Sequence, residues 1–217
     1  MEIIDHWHVR THQPLIQCML SVFKPELIVE LGTGVNSTPL FLQYSPKELI
    51  CIENDQEWFK YMKKFFTPEK AEYQIMYHQP EPIHISHYTE KEQEGSEKYY
   101  LDLKTYISER FYSPRLLFVD QVLGLRALSI RTLHSQFDII IYHDCQPAGT
   151  LLNDYHFKDI INAGFEFYIL KNDGVWTGVL LHRNLQYTEM QLKRVIASYI
   201  DTFQEVNGFC SMYLEKQ

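Results

Sequence analysis

The sequence lacks every cysteine spacing that marks a metal or redox function. Its four cysteines, Cys18, Cys51, Cys145 and Cys210, stand far apart and form no CxxC pair. That argues against a disulfide framework and a zinc ribbon. Cys18 and Cys51 fall inside apolar patterns, where a free thiol acts as a small hydrophobe. No apolar stretch approaches the roughly 18 residues of a membrane span. No basic segment followed by an apolar run opens the chain, and the expected compartment is the cytoplasm. Positive charge is also short: 20 Lys and Arg face 28 Asp and Glu, a formal charge of −8. Such a chain has no footprint for phosphate backbones, so neither a nucleic-acid nor a membrane partner is expected.

What is present fits one α/β domain. At 217 residues, with 45% apolar and 22% charged side chains, the chain can bury a sizeable core. We expect a single domain over 1–217, with an N-terminal helical segment (1–25), a core (26–183) and a C-terminal helix/strand extension (184–217).

Residues 27–38 read LIVELGTGVNST, and a second apolar run, LICIE, ends on Glu53, nineteen residues after Gly34. A buried strand, a glycine turn, a helix start and an acidic strand end make the front half of a nucleoside site. A side chain at Gly32 or Gly34 would hold the backbone away from a ligand lying across the turn. A dinucleotide fingerprint would need glycine at position 37, and Ser37 stands there, which argues against NAD or FAD.

Along the rest of the chain, residues 13–23 carry a helical apolar stripe that Pro25 ends. A second helix is expected from Asn36 or Ser37, with Pro39 in its first turn. Strands are expected at 48–53, 73–77, 115–120 and 137–144, with helices from Asp55 and over 99–111, 123–133 and 154–162. The stretch 78–95, with three histidines, two prolines and the run EKEQEGSEK, reads as a long connection of the kind that forms lids. Residues 165–170 and 175–182 flank Asn172-Asp-Gly as an antiparallel hairpin. Thr188 and Gln191 form a capping-box signature before a helical stripe. That last helix either covers the sheet or makes a homodimer contact.

Glu30-Leu-Gly-Thr-Gly followed by Asn36-Ser-Thr resembles motif I of the class I S-adenosylmethionine-dependent methyltransferases, and the likeness extends over about residues 10–182. It implies a three-layer, Rossmann-like α/β fold, with a parallel sheet, helices on both faces and a C-terminal antiparallel hairpin. It also implies an enzyme with S-adenosylmethionine as cofactor and S-adenosylhomocysteine as product. The implied cofactor residues are Glu30, Gly32, Thr33, Gly34, Asn36, Ser37, Thr38, Glu53, Asn54, Asp120 and Gln121. Glu30 and the turn would receive the methionine part, and Glu53 the ribose.

Asp120, His143 and Asp144 end the next two strands and are the catalytic candidates; an Asp at such a place can also cap the following helix. Acids after these two strands resemble the magnesium site of metal-dependent O-methyltransferases. Cys145 stands where that group usually has Asn or Asp, so Mg²⁺ is not favoured and no metal residue is assigned. His-Asp at a strand end also resembles methyltransferases acting on sugars and other small molecules. The expected activity is methylation of a small-molecule acceptor at oxygen, with Asp144 or His143 as general base. A cofactor-binding, non-catalytic scaffold for a protein partner is the alternative. A nucleic-acid methyltransferase is disfavoured by the charge and by the lack of an Asn/Asp-Pro-Pro-Tyr/Phe motif between Asp120 and Pro147. His6, His8 and His12 approximate a metal cluster in a segment with no supporting strand, and no metal is expected there. Arg126 stands as an anchor for an anionic acceptor or as a surface ion pair.

Overall fold

The computed structural model describes residues 10–65, 73–78, 90–121, 123–143, 145, 157–172, 175–207 and 211–217. Seven α-helices occur among them: α1 (Gln13–Phe23), α2 (Thr38–Tyr44), α3 (Gln56–Phe65), α4 (Glu90–Ser108), α5 (Leu123–Leu133), α6 (Phe157–Asn162) and α7 (Glu189–Asn207). The strands are β1 (Leu27–Leu31), β2 (Glu48–Glu53), β3 (Tyr73–Tyr77), β4 (Arg115–Val119), β5 (Ile139–His143), β6 (Phe165–Asn172), β7 (Thr177–His182) and β8 (Met212–Lys216).

All eight strands form one sheet in the order β3-β2-β1-β4-β5-β7-β6-β8. The first five are parallel; β7 runs antiparallel to β5 and β6, and β8 antiparallel to β6. The strand order turns at β1, which lies between β2 and β4. A parallel sheet opens a crevice at such a point, outside the carboxyl ends of its strands.

Alternating side chains go to opposite faces. Val29, Ile52, Leu117 and Ile140 pack with Tyr100, Leu103, Leu125 and Ile160 of α4, α5 and α6. Ile28, Cys51, Phe118 and Ile141 pack with Leu15, Met19, Phe41, Leu192 and Ile196 of α1, α2 and α7. The stripe of α7 is therefore used inside the chain, beside α1. Its start follows the capping signature, since the Gln191 amide donates to Thr188 Oγ1 at 3.1 Å. No described helix is long and apolar enough to cross a membrane.

Two expectations change. The first turns of α4 occupy 90–98, where a connection was expected, because Glu, Lys and Gln favour helix without an apolar stripe. The helix also stops at Ser108 rather than at 111. Residues 79–89 of the expected connection over 78–95, and residues 154–156 of the expected 154–162 helix, lie outside the described residues.

Candidate functional site

β1 delivers Glu30 and the glycine turn to the sheet's carboxyl edge. Gly32 has φ +86°, and a Cβ there would stand 2.5 Å from the Asp120 carbonyl oxygen. Its requirement for glycine thus comes from the β4 exit crossing it, in addition to any ligand. At Gly34 a Cβ would lie 2.9 Å from Ser37 Oγ.

Glu30 is fully buried. Ser37 and Thr38 donate their hydroxyls to its two oxygens at 2.6 and 2.8 Å. This holds the start of α2 against the strand and explains why Ser37, at the N-cap, makes no side-chain cap bond. Burial pushes the Glu30 carboxyl up to about 7, against hydrogen bonds from Ser37, Cys51 and Thr38. Each Glu30 oxygen thus accepts one hydroxyl from the start of α2. Asn36 lies partly exposed after the turn and accepts a bond from Gln13 Nε2 at 3.1 Å through its carbonyl.

Glu53 ends β2 and reaches back under the same turn. Its Oε2 accepts the Thr33 amide at 2.9 Å and the Thr33 hydroxyl at 2.6 Å. Its Oε1 accepts the amides of Asn54 and Asp55 at 2.7 and 2.9 Å. Trp58 Nε1 donates to the Thr33 carbonyl at 2.7 Å, tying α3 to the turn as well. Asn54 Nδ2 faces the His78 carbonyl at 3.4 Å, while Asn54 Oδ1 and His78 Nε2 are buried without hydrogen-bond partners. The His78 ring stacks on Tyr99, and burial lowers its pKa to about 4.

The Gln121 side chain turns into the core. Its amide accepts from Tyr100 at 2.9 Å and donates to the Leu125 carbonyl and Ser129 Oγ at 3.1 and 2.9 Å, inside the core. A glutamine committed to buried partners has little left for a ligand. Arg126 is neither a surface pair nor an open anchor. Buried, it donates to the Gln121 carbonyl, the His143 carbonyl and Asp120 Oδ1 at 2.6, 2.7 and 3.1 Å. It braces the ends of β4 and β5 together.

Asp120 Oδ1 is also 3.3 Å from His143 Nδ1, and His143 Nε2 is 3.2 Å from Thr11 Oγ1. Burial works to raise the Asp120 pKa, yet His143, His12 and Arg126 hold it below the usual carboxylate value. His12 packs edge-on against His143, ring centres 4.7 Å apart. Burial lowers its pKa to about 3, so it is neutral. Asp144 lies outside the described residues.

The site therefore joins β1, β2, β4 and β5 at the switch point. No protein-family model and no curated protein matches the sequence. Solved structures do. N-methyltransferase NodS from Bradyrhizobium japonicum WM9 aligns with TM-score 0.51 at 9% identity, over 83% of this chain and 99% of that one. Human Methyltransferase-like protein 13, in complex with SAH, gives 0.51 at 13% identity over 93% of each chain. The methyltransferase domain of bacterial CtHen1-C gives 0.50 at 10% identity over 82% and 99%. The fold is that of the class I, Rossmann-like methyltransferases. At these identities the likeness is one of fold.

Within this methyltransferase fold, sequence reasoning missed Thr11, Trp58 and Tyr99, and it set His12 and His78 aside. Thr11 and His143 are 132 residues apart in sequence, so no local pattern links them. For His12 the usable signal was its place just before α1, whose first turn carries Pro14.

Proposed function

We propose that the protein is an S-adenosylmethionine-dependent methyltransferase acting on a small-molecule acceptor at oxygen. The observation that carries this reading is the meeting of Glu53 with the glycine turn through Thr33. A carboxylate at the tip of β2, beside a turn at the switch point, suits a ribose diol.

The residues present fit the cofactor. Asn54 Oδ1 and His78 Nε2 are orphaned buried atoms near the ends of β2 and β3, and a nucleobase offers them partners. The carboxylate of Glu53 already accepts four bonds, about the number of its lone-pair sites. A ribose hydroxyl must therefore displace the Thr33 hydroxyl, the one donor of the four on a rotatable side chain. The net charge of −8 suits a cationic sulfonium.

When bound, the cofactor supplies an electrophilic methyl group. Transfer of that methyl to an acceptor oxygen would leave S-adenosylhomocysteine, with the sulfur keeping the electron pair of the broken C–S bond. The hydroxyl proton would pass to His143 Nε2, which must first part from Thr11 Oγ1 while Asp120 Oδ1 holds Nδ1, or to Asp144. Alignment of acceptor and methyl supplies most of the rate. A homodimer through the extension would use the outer face of α7, where Met190 is exposed. The compartment we propose is the cytoplasm.

Calorimetry with S-adenosylmethionine and S-adenosylhomocysteine tests the reading. Wild-type protein that binds neither would sink it. Binding weakened by Glu53→Ala, with methylated product from a pooled metabolite extract, supports it. Binding with no product from any acceptor leaves the non-catalytic scaffold in its place.

A further inference from the structure

We propose that His12, Asp120 and His143 form a binding site for a divalent transition-metal ion of the zinc, cobalt or nickel class. One ligand atom of each lies within 4.8 Å of the others. His143 Nδ1 and Asp120 Oδ1 are already 3.3 Å apart. Ligands about 2.1 Å from zinc stand roughly 3.4 Å apart in a tetrahedron, so only His12 needs to approach, by up to about 1.4 Å.

His12 supplies the second, independent observation. His12 is 3% exposed, and among the described residues neither ring nitrogen has a hydrogen-bond partner. Buried polar atoms are nearly always satisfied, and a doubly orphaned imidazole calls for a ligand. A cation would take the lone pair of one nitrogen.

The surroundings suit coordination. Thr11 Oγ1, 3.2 Å from His143 Nε2, fixes the ring from behind and leaves Nδ1 facing Asp120. The Asp120 side chain is 27% exposed and gives the cluster its opening. Arg126 Nη2 donates to the same Asp120 Oδ1 at 3.1 Å and offsets the carboxylate charge, and that oxygen keeps a second lone pair for the ion. Two imidazoles and one shared carboxylate are a poor match for Mg²⁺ or Ca²⁺, which want several oxygens. Imidazole nitrogen suits zinc, cobalt and nickel.

The Asp120 carbonyl lies against Gly32, so the ion would sit beside the glycine turn. For its role, though not for its binding, the proposal rests on the methyltransferase reading. An open coordination position would take the acceptor oxygen and make its hydroxyl more acidic. The proton would then pass to solvent, and His143 would be a ligand instead of a base.

Tag-free protein is titrated with ZnCl₂ by calorimetry and with CoCl₂ by visible absorption, both without S-adenosylmethionine. We expect one ion per chain and a cobalt d–d band from nitrogen ligation. Loss of an outer-shell partner costs ~10–100-fold in affinity, so Thr11→Val should weaken binding by about tenfold and His12→Gln or Asp120→Asn by about 100-fold or more. Circular dichroism of each variant checks that it is folded, and the wild-type cobalt band stands independently of the variants. Absence of binding by wild type overturns the proposal. So does binding unchanged in folded His12→Gln, or binding lost in a His6→Ala/His8→Ala double variant but kept in Asp120→Asn. Metal binding that persists where S-adenosylmethionine fails to bind would keep the site and remove only its role.

Discussion

Thr33 and Glu53 form a closed contact across the crevice: amide and hydroxyl of one residue both donate to a single carboxylate oxygen of the other, at 2.9 and 2.6 Å. The same carboxylate anchors the chain that leaves β2. Glu53 is thus part of the scaffold before any ligand arrives.

Two variants separate those roles. Glu53→Ala strands three backbone amides and one hydroxyl, so a loss of about 2–3 kcal/mol in stability is expected along with at least tenfold weaker cofactor binding. Thr33→Val removes only the hydroxyl that a ribose would displace. Its cofactor affinity, read by calorimetry, should stay equal or rise. A tenfold loss in Thr33→Val would mean that the hydroxyl itself holds the cofactor.

Gly32 should be the least replaceable residue of the turn. Gly32→Ala must adopt φ +86° and bring a Cβ within 2.5 Å of backbone belonging to Asp120, which cannot swing aside. Left-handed strain alone costs about 1–2 kcal/mol, and the clash adds to it, so about 3 kcal/mol or more is expected. Gly34→Ala meets only the Ser37 hydroxyl, and about 1 kcal/mol is expected. Denaturant midpoints would measure both. Equal losses would remove the distinction.

These contacts mark where the sequence stops being legible. The boundaries of α1, β2, β3 and α5 follow from apolar period, Pro25 and the acidic strand end, all local signals. The eighth strand is not local in that sense: in β8 only Leu214 is buried, and pairing with β6 holds the rest. The glycine turn and Glu53 were legible because motif spacing fixes them. The inward turn of Gln121, the Arg126 brace and the approach of His12 to His143 depend on strand ends far apart in the chain. Their residue types give no hint of direction.

Glu30 predicts a pH dependence. Its folded pKa of about 7 lies above the usual value near 4.3 in an unfolded chain. Between those values the folded state keeps a proton that the unfolded state has lost. Its contribution is therefore full below about pH 4, declines up to about pH 7 and is flat above, a total on the order of 4 kcal/mol. Glu30→Gln keeps a polar partner for Ser37 and Thr38 without the charge. Melting temperatures of both proteins from pH 5 to 8 should diverge in favour of Glu30→Gln as pH rises. A constant difference would show that Glu30 carries no such shift.

Arg126 predicts a cost unlike that of a surface cation. It donates to two backbone carbonyls and to Asp120 from a buried position, so Arg126→Met removes the donor from both carbonyls and leaves Asp120 Oδ1 with His143 Nδ1 alone. A loss of about 3–5 kcal/mol is expected, as for other broken buried pairs. Arg126→Lys cannot reproduce three divergent bonds and should recover less than half of it. Thermal unfolding of both variants tests this; a loss below about 1 kcal/mol would class the brace with surface pairs.

The catalytic assignment makes the last prediction. If His143 or Asp144 takes the acceptor proton, His143→Ala or Asp144→Asn lowers kcat by about 10²–10⁴-fold while cofactor affinity holds. His12 then divides the two routes. A side-chain base needs His143 and tolerates His12→Gln, whereas a bound cation needs both imidazoles. Turnover of the variants with and without added Zn²⁺, at saturating cofactor, reads the difference. Near-normal turnover in both His143→Ala and Asp144→Asn would remove both residues from the chemistry and leave alignment alone to account for the rate.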